Sequence, residues 1–367
     1  MQLSLDLKGQ GACDKEASQE GQKMALLDLS HSQLQELFLS LGEPRYRADQ
    51  LYRWLYVSLG TDFTRMYNLP QGIREQLERI ADICRLTPLQ EIVSPDELTR
   101  KVLFALPDGA TIESVLMLYD RRNTVCLSTQ VGCALRCPFC ATGQSGLTRN
   151  LTAGEIVEQV LHFARGLKEE GRRITNVVFM GMGEPFMNYE PTWQAIETLN
   201  DPRGYNQGAR RITISTVGIV PGIERLSQER LQVGLAVSLH APDDGLRDTL
   251  VPINRRYPLK ELIAACANYV KRTARRVTFE YALAQGVNDS RQQAAQLASL
   301  LDGLLCYVNL IPINPIPHSS WQASSDERVR IFHQELSSLG INNTVRLRRG
   351  IEIEAGCGQL RSRWERA

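Results

Sequence analysis

Apolar residues recur at helical spacing near the start of the chain, between residues 26 and 85. Ser30 followed by Gln33 forms a capping box, which is typical of a helix N-terminus, and the first apolar run begins there. A second run begins at Arg45, and a third covers about residues 71–83. These patterns predict a small unit of three helices.

The next pattern consists of short extended runs separated by turn residues. Lys101–Leu106 and Ile112–Tyr119 flank a Pro-Asp-Gly turn, which predicts a β-hairpin within residues 89–120. Glu113 lies in the second of these runs. Since charged residues are mostly exposed, the ordinary interpretation is a solvated strand carboxylate.

Strand and helix patterns alternate from residue 121 onwards, which predicts a parallel sheet covered by its helices. Strands are predicted at Thr124–Thr129, Asn176–Met180, Ile212–Ser215, Val233–Ser238, Thr278–Ala282 and Tyr307–Pro312, with helices beginning near Thr152, Glu190, Pro221, Pro258, Asp289 and Ser324. Six units are too few to close an eight-stranded barrel. The fold class is therefore α/β, an open six-stranded (β/α)6 partial TIM barrel whose site lies at the carboxyl ends of the strands.

A last extended run, Thr344–Arg349, follows the six units. The predicted division of the chain is a disordered tail (1–24), a helical accessory domain (25–88), a hairpin connector (89–120), the partial barrel (121–350) and a C-terminal segment (351–367).

Composition and charge narrow the classes of partner. The 367 residues are 43% hydrophobic and 23% charged, which is ordinary for a globular protein. With a net charge of +1, any contact with nucleic acid must come from local basic patches. No apolar run approaches the length of a membrane span, and the polar start lacks the apolar core of a secretion signal. Nine cysteines without such a signal indicate a cytoplasmic location, where clustered thiols more often serve metal or redox chemistry.

The chemically informative stretch lies after the first barrel strand, where Cys133, Cys137 and Cys140 fall within eight residues. Thiolates at such short gaps can converge on a cluster of four irons, and three of them leave one iron open to another ligand. Structural zinc is the main alternative, although zinc sites usually complete four ligands, often with a second Cys-x-x-Cys pair that is missing here. A disulfide is the third interpretation, and the lack of a secretion signal disfavours it.

Polar residues stand at the ends of the later strands. They are Gly183 and Glu184, Ser215, Ser238, Leu239 and His240, and Asn314. Each alone is typical of a turn or a helix cap. Because parallel strands end at one edge of the sheet, together they predict a small-molecule site facing the cysteine loop. Two lone cysteines, Cys126 and Cys357, are by default buried small side chains, and spacing does not show whether they meet.

Taken together, these motifs resemble those of the RlmN/Cfr family of radical S-adenosylmethionine (SAM) enzymes. The matching stretches are Arg47–Gln50, Ser128–Leu135, Asn150–Leu151, Gly181–Pro185, Ser238–Pro242, Val251–Asn254 and Cys357–Leu360, within a resemblance that runs from about residue 26 to 360.

The resemblance implies a role for each candidate residue. Cys133, Cys137 and Cys140 would hold a [4Fe-4S] cluster whose open iron binds SAM. Gly183, Glu184, Ser215, Ser238, Leu239, His240 and Asn314 would bind SAM. Cys357 would carry the methyl group, Cys126 would resolve the intermediate through a transient disulfide, and Glu113 would accept a proton.

The implied activity is methylation of carbon-2 of adenosine in the peptidyl transferase centre of 23S rRNA, and in tRNA next to the anticodon. The implied electron donor is flavodoxin or ferredoxin, the enzyme is expected to be a monomer, and no membrane partner is implied. Pro185 favours carbon-2 over the carbon-8 methylation performed by Cfr.

Two alternatives remain at this point, a Cfr-type carbon-8 enzyme and a zinc-stabilised RNA-binding protein without catalysis. In each case RNA would contact basic patches, although solvated surface explains them equally well. The candidate patches are Arg121-Arg122, Arg210-Arg211, Arg346/Arg348/Arg349 and Arg361/Arg363/Arg366.

Overall fold

The computed structural model of the protein describes residues 23–316, 319, 321–346 and 348–361. Most of the predicted tail, residues 1–22, and the arginines at 363 and 366 lie outside these ranges. Among the helices that are described, none is both long and apolar enough to cross a bilayer.

The N-terminal unit contains the three predicted helices: α1 (His31–Ser40), α2 (Tyr46–Arg53) and α3 (Gln71–Ile80). The Ser30–Gln33 capping box is present in both directions at the start of α1. Two short parallel strands, β1 (Met24–Ala25) and β2 (Ala81–Asp82), join the two ends of the unit. The predicted third helix was too long, because its last residues pair as a strand.

An antiparallel region follows, with strands β3 (Thr87–Val93), β4 (Thr99–Ala105), β5 (Thr111–Tyr119) and β6 (Arg122–Cys126). The predicted hairpin is β4 and β5. After β6, a small separate hairpin of β7 (Gln130–Gly132) and β8 (Leu147–Asn150) flanks the cysteine loop and a short helix α4 (Ala141–Gln144).

Strands and helices then alternate as the sequence predicts. The elements are α5 (Ala153–Glu169), β9 (Asn176–Phe179), α6 (Tyr189–Asn200), β10 (Ile212–Thr216), α7 (Val220–Leu226), β11 (Gly234–Ser238), α8 (Asp244–Leu250), α9 (Leu259–Thr273), β12 (Val277–Leu283), α10 (Arg291–Leu300), β13 (Cys306–Pro312), α11 (Asp326–Ser338) and β14 (Asn343–Val345). Thr152 and Glu155 form the predicted capping box of α5. Helix α8 was not predicted.

The sheet is continuous across the connector and the barrel. Its order is β14-β13-β12-β11-β10-β9-β6-β5-β4-β3, with every pair from β6 to β14 parallel. The open partial barrel is confirmed, and β14 adds a short seventh parallel strand that overlaps the start of the run predicted at Thr344–Arg349. Because β5 pairs directly with β6, the hairpin extends the wall of the barrel, and Glu113 lies on this same wall.

Candidate active site

The carboxyl ends of the barrel strands surround a cavity that the cysteine loop closes on one side and the C-terminal segment on another. The predicted site residues that line it are Cys133, Cys137, Cys140, Gly183, Glu184, Ser215, Ser238, His240, Asn314 and Cys357. Leu239, which was also predicted, lies in the core with its side chain fully buried. The fold therefore brings nearly all the strand-end residues together with the three clustered cysteines.

Backbone hydrogen bonds hold the start of the cysteine loop beside the β7–β8 hairpin and close a turn within the loop. The N–H of Cys133 donates to the carbonyl of Gly146 at 2.8 Å, and that of Cys140 to the carbonyl of Cys137 at 3.1 Å. Gly132 has a φ of +76°, and a Cβ there would lie 1.8 Å from the Gly146 carbonyl oxygen. Glycine is therefore required at the entry to the loop.

The three loop thiols lie in an apolar setting. Cys133 and Cys137 are buried and Cys140 is half-buried. Burial raises the pKa of the Cys133 thiol to about 12, and it raises the pKa of Cys137 and Cys140 as well. Such thiols become ligands when a metal centre supplies the positive charge that deprotonates them.

Glu184 closes the cavity beside this loop. One of its carboxylate oxygens accepts from the N–H of Phe186 at 3.1 Å and the other from the N–H of Val217 at 2.9 Å. Burial raises the pKa of Glu184 to about 7. The preceding Gly183 has a φ of +100°, and a Cβ there would lie 2.6 Å from the Gln130 side chain. The chain thus reaches Glu184 through a backbone conformation that suits glycine.

His240 follows β11, two strands further along the sheet than Glu184, and it is neutral because burial lowers its pKa to about 3. Its Nδ1 accepts from the N–H of Ala282 at 3.0 Å, which leaves Nε2 as the protonated nitrogen. The Phe139 ring packs edge-on against the imidazole with centroids 4.9 Å apart. The aromatic residue before the third loop cysteine therefore ties the loop to β11.

Arg247 organises the strand ends and was missed by the sequence analysis. Its side chain is fully buried on α8 and donates to the carbonyls of Val217, Leu239 and Ser238 at 2.6, 3.0 and 3.1 Å. It also donates to Oδ1 of Asn254 at 2.7 Å. The only available signal was the Val251–Asn254 motif, which gave no hint of a partner on α8.

Cys126 and Cys357 meet at a second cavity. Both thiols line it and both are free, and Cys357 also lines the first cavity. Arg346 lies in the wall shared by the two cavities, and the nearby Cys357 raises the pKa of this arginine. Arg346 faces the site interior, and its side chain is only 26% exposed. The assignment of Arg346, Arg348 and Arg349 to an RNA-binding patch stays a prediction.

Glu113 is not the solvated strand carboxylate that its sequence context suggested. It is 5% exposed, and its Oε1 lies 2.9 Å from Nζ of Lys101. Its Oε2 accepts from the N–H of Arg361 at 2.6 Å. Burial raises the pKa of Glu113, and the Lys101 ammonium opposes that rise. Glu113 lines neither cavity but contacts the segment that carries Cys357.

The C-terminal segment is fastened to the cysteine loop and to β13. The carbonyl of Gly358 accepts from the N–H of Ala141 at 2.7 Å, and that of Leu360 accepts from the Thr142 hydroxyl at 2.6 Å. Nδ2 of Asn314 donates to the carbonyl of Cys357 at 3.0 Å. These bonds hold Cys357 at the junction of the two cavities.

The predicted RNA-binding patches have mixed environments. Arg121, Arg122, Arg210 and Arg211 are exposed, and the Arg122 guanidinium lies over the Tyr119 ring. Arg361 is engaged by the Glu354 carboxylate at 2.7 Å. An RNA-binding role for these residues stays a prediction.

Comparison with known proteins places this site in a family. The model of the radical SAM superfamily matches residues 127–298, and the model of the ribosomal RNA large subunit methyltransferase N-terminal domain matches residues 24–83. A relative from Chloroflexus aurantiacus, described as a probable dual-specificity RNA methyltransferase RlmN, is 52% identical over 93% of this chain and 94% of its own length. The chain belongs to the RlmN family of radical SAM RNA methyltransferases.

Two further RlmN-family comparisons agree. A Moorella thermoacetica relative with the same description is 49% identical over 92% of this chain and 97% of its own. The crystal structure of a radical SAM methyltransferase from Sphaerobacter thermophilus superposes with a TM-score of 0.91, at 55% identity, over 93% of this chain and all of the other. Family membership overturns the alternative of a zinc-stabilised protein without catalysis.

An RlmN-family enzyme uses a [4Fe-4S] cluster and SAM, and the residues present here fit both. Within the described ranges no three or more His, Cys, Asp or Glu residues are arranged around a single metal ion. A [4Fe-4S] cluster is larger than a single ion, so its ligands need not converge on one point. Cys133, Cys137 and Cys140 line one shared cavity, as the ligands of such a cluster must. In the same cavity, Oδ1 of Asn314 is buried and accepts no hydrogen bond from a described residue, as expected of a group that binds a polar ligand.

Proposed function

We propose that this RlmN-family enzyme methylates carbon-2 of adenosine in 23S rRNA, and in tRNA next to the anticodon, through a methyl group carried on Cys357. The observation that carries the proposal is the position of Cys357, whose thiol lines both the cavity of the cysteine loop and the cavity that contains Cys126. One thiol can thus face a methyl donor on one side and a resolving thiol on the other.

Two groups of residues would bind the two cofactors, the iron–sulfur cluster and SAM. Cys133, Cys137 and Cys140 would ligate the cluster, while Gly183, Glu184, Ser215, Ser238, Leu239, His240 and Asn314 would hold SAM. When bound, the cluster supplies the electron that cleaves SAM and opens the radical chemistry needed at an electron-poor carbon. The free carbonyl of the Asn314 amide and the Glu184 carboxylate suit a ligand amine or hydroxyl.

Cys357 acts first as a nucleophile. Its thiolate attacks the methyl carbon of one SAM, forming an S–CH3 bond as the sulfonium C–S bond breaks and S-adenosylhomocysteine leaves. Exposure of Cys357, between two glycines, gives the thiol room to meet a donor and later a base. The radical chemistry supplied by the bound cofactors would remove one hydrogen atom from the S-methyl group, and the resulting methylene carbon would bond to carbon-2, which links RNA to the protein through Cys357.

Glu113 and Cys126 would complete the turnover. The Glu113 carboxylate accepts the proton lost from carbon-2 of the adduct. Cys126 would then attack the Cys357 sulfur, so that the S–CH2 bond breaks and a disulfide forms. The electron pair of that bond passes to the methylene carbon, which takes a proton to become the methyl group, and the unpaired electron left by the radical addition would return to the bound cluster. A thiol reductant restores both cysteines before the next cycle.

The substrate and partner assignments follow the same reasoning. A base that reaches an interior thiol must be unstacked, which favours RNA loops or locally opened sites. Electrons would come from flavodoxin or ferredoxin, and the enzyme would act as a monomer in the cytoplasm. The exposed Arg121, Arg122, Arg210 and Arg211 are proposed RNA contacts. Arg346, Arg348 and Arg349, which line the second cavity, are proposed to contact RNA close to the entering base.

The second candidate is carbon-8 methylation. Pro185, which opens a short 3-10 helix directly after Glu184, favours carbon-2 because a Cfr-type enzyme is expected to carry alanine there.

The test is nucleoside mass spectrometry of 23S rRNA and tRNA incubated with the cluster-loaded enzyme, SAM and reductant. We expect 2-methyladenosine in both RNAs, and none with Cys357→Ala. Accumulation of 8-methyladenosine would establish the second candidate, and methylated rRNA with unmodified tRNA would restrict the substrate to rRNA.

A further inference from the structure

Four charged residues form a closed ring between β4, β5 and the C-terminal segment. Nζ of Lys101 lies 2.9 Å from Oε1 of Glu113 and donates to the carbonyl of Glu354 at 3.3 Å. The N–H of Arg361 donates to the other oxygen of Glu113, and the Arg361 guanidinium pairs with the Glu354 carboxylate. Lys101 therefore contacts both the carboxylate of Glu113 and the segment that carries Cys357.

The inner pair of this ring is buried. The side chains of Lys101 and Glu113 are each 7% exposed, whereas those of Arg361 and Glu354 are 19% and 46% exposed. Burial removes hydration from both side chains, and the contact between the opposite charges offsets part of that cost. The outer pair is in contact with water and contributes much less.

Among the residues that the structure describes, the other neighbours of Glu113 bring no second positive side chain to its carboxylate. Its backbone N–H meets the sulfur of Met182, and its carbonyl accepts from the Ser128 hydroxyl. The negative charge of the Glu354 carboxylate raises the pKa of Glu113, and the hydrogen bond from the Arg361 N–H lowers it. Among the described side chains that face it, Lys101 is thus the cation that balances the Glu113 charge.

We propose that Lys101 is a positioning residue for the methyl transfer, which keeps Glu113 ionised as the proton acceptor and holds it in register with the Cys357 segment. The inference rests on the proposed role of Glu113. A carboxylate must be ionised to take the carbon-2 proton, which moves from carbon to Glu113. Without Lys101, burial is no longer opposed by a neighbouring positive charge, and the pKa of Glu113 rises further.

The experiment measures methylation of 23S rRNA by cluster-loaded variants between pH 6 and pH 9, with covalent protein–RNA adduct followed on denaturing gels. For Lys101→Met we expect the acidic limb of the pH profile to move up by about one pH unit or more, since a neighbouring opposite charge has an effect of that size. Adduct should accumulate at the low end of this range, because its carbon-2 proton is no longer removed, and should disappear at the high end.

Two variants serve as matched controls. Lys101→Arg keeps the charge and should retain the wild-type limb. Arg100→Met removes an equal charge from the adjacent position of β4, where Arg100 pairs with Glu170 on the surface, and should leave the profile unchanged.

The outcomes separate this inference from the proposed function. An unchanged limb in Lys101→Met, or loss of activity at every pH without adduct, overturns the inference while Glu113→Gln remains inactive. If Glu113→Gln methylates RNA at the normal rate, the assigned role of Glu113 itself is wrong. A similar shift in Arg100→Met would attribute the effect to overall charge and also overturns the role of Lys101.

Discussion

The cysteine loop and the C-terminal segment deliver thiols to the same cavity, yet they are held in different ways. The loop is fastened by its own hairpin, with the N–H of Cys133 bonded to Gly146 a few residues on. The C-terminal segment is held by bonds to partners 218, 248 and 253 residues away, through Leu360, Arg361 and Glu354. The three loop thiols are therefore held mainly by nearby backbone contacts, whereas Cys357, which is proposed to carry the methyl group, is held by partners far away along the chain.

The largest effect is expected on the loop side. Cys137→Ser should remove one cluster ligand and abolish methylation, since the cluster has no fourth protein thiol in the loop to replace it. Iron content and visible absorption after anaerobic purification measure the loss directly. Cys84→Ser, at an exposed thiol away from both cavities, should keep its iron and its activity.

On the C-terminal side, Cys126→Ala should retain the cluster but stop turnover after RNA has become bonded to Cys357. The expected result is a protein–RNA adduct that survives denaturation and is absent from the Cys126→Ala/Cys357→Ala double variant. Normal multiple turnover by Cys126→Ala would show that the two thiols do not act as a pair.

Arg247 supports the strand ends that both sets of thiols face. Arg247→Met leaves three carbonyls and the Asn254 amide without their donor, in a fully buried site. We expect a loss of about 3–5 kcal/mol in the free energy of unfolding, because each buried acceptor that loses its hydrogen bond costs about 1–3 kcal/mol, while part of the total is offset since a positive charge no longer has to be buried. Urea unfolding gives the value, and the exposed Arg255→Met, with its ion pair at 4.0 Å, should change it little.

The smallest effect is expected at the rim of the C-terminal segment. Glu354→Gln removes a half-exposed ion pair with Arg361 and should cost less than about 1 kcal/mol in unfolding free energy. The same urea measurement checks it. A loss as large as that of Arg247→Met would mean that the C-terminal segment is held mainly by this exposed ion pair and not by its buried hydrogen bonds to distant residues.

Sequence patterns predicted features whose causes lie close together along the chain. The capping boxes at Ser30 and Thr152 and the spacing of Cys133, Cys137 and Cys140 are local, and each is found where expected. Repeated strand–helix units were enough to predict the open barrel, since parallel strands need covering helices.

The residues that were missed act across the fold. Arg247 lies in a short helix among other charged residues, and this pattern is typical of a solvated surface. The three strand-end carbonyls that bind its buried side chain come from the ends of β10 and β11, so the sequence around Arg247 does not indicate that it is buried. Glu113 was read as exposed for the same reason, because its counter-charge, Lys101, comes from the neighbouring strand. Patterns along the chain record periodicity but not which charged residue will face which.

The attachment of Gly358 and Leu360 to the cysteine loop also has a consequence for biosynthesis. The ribosome releases Cys133, Cys137 and Cys140 more than 200 residues before Cys357, so a nascent chain presents all three loop cysteines while one wall of their cavity is still missing. The three loop cysteines are thus synthesised well before the segment that completes their cavity and carries Cys357.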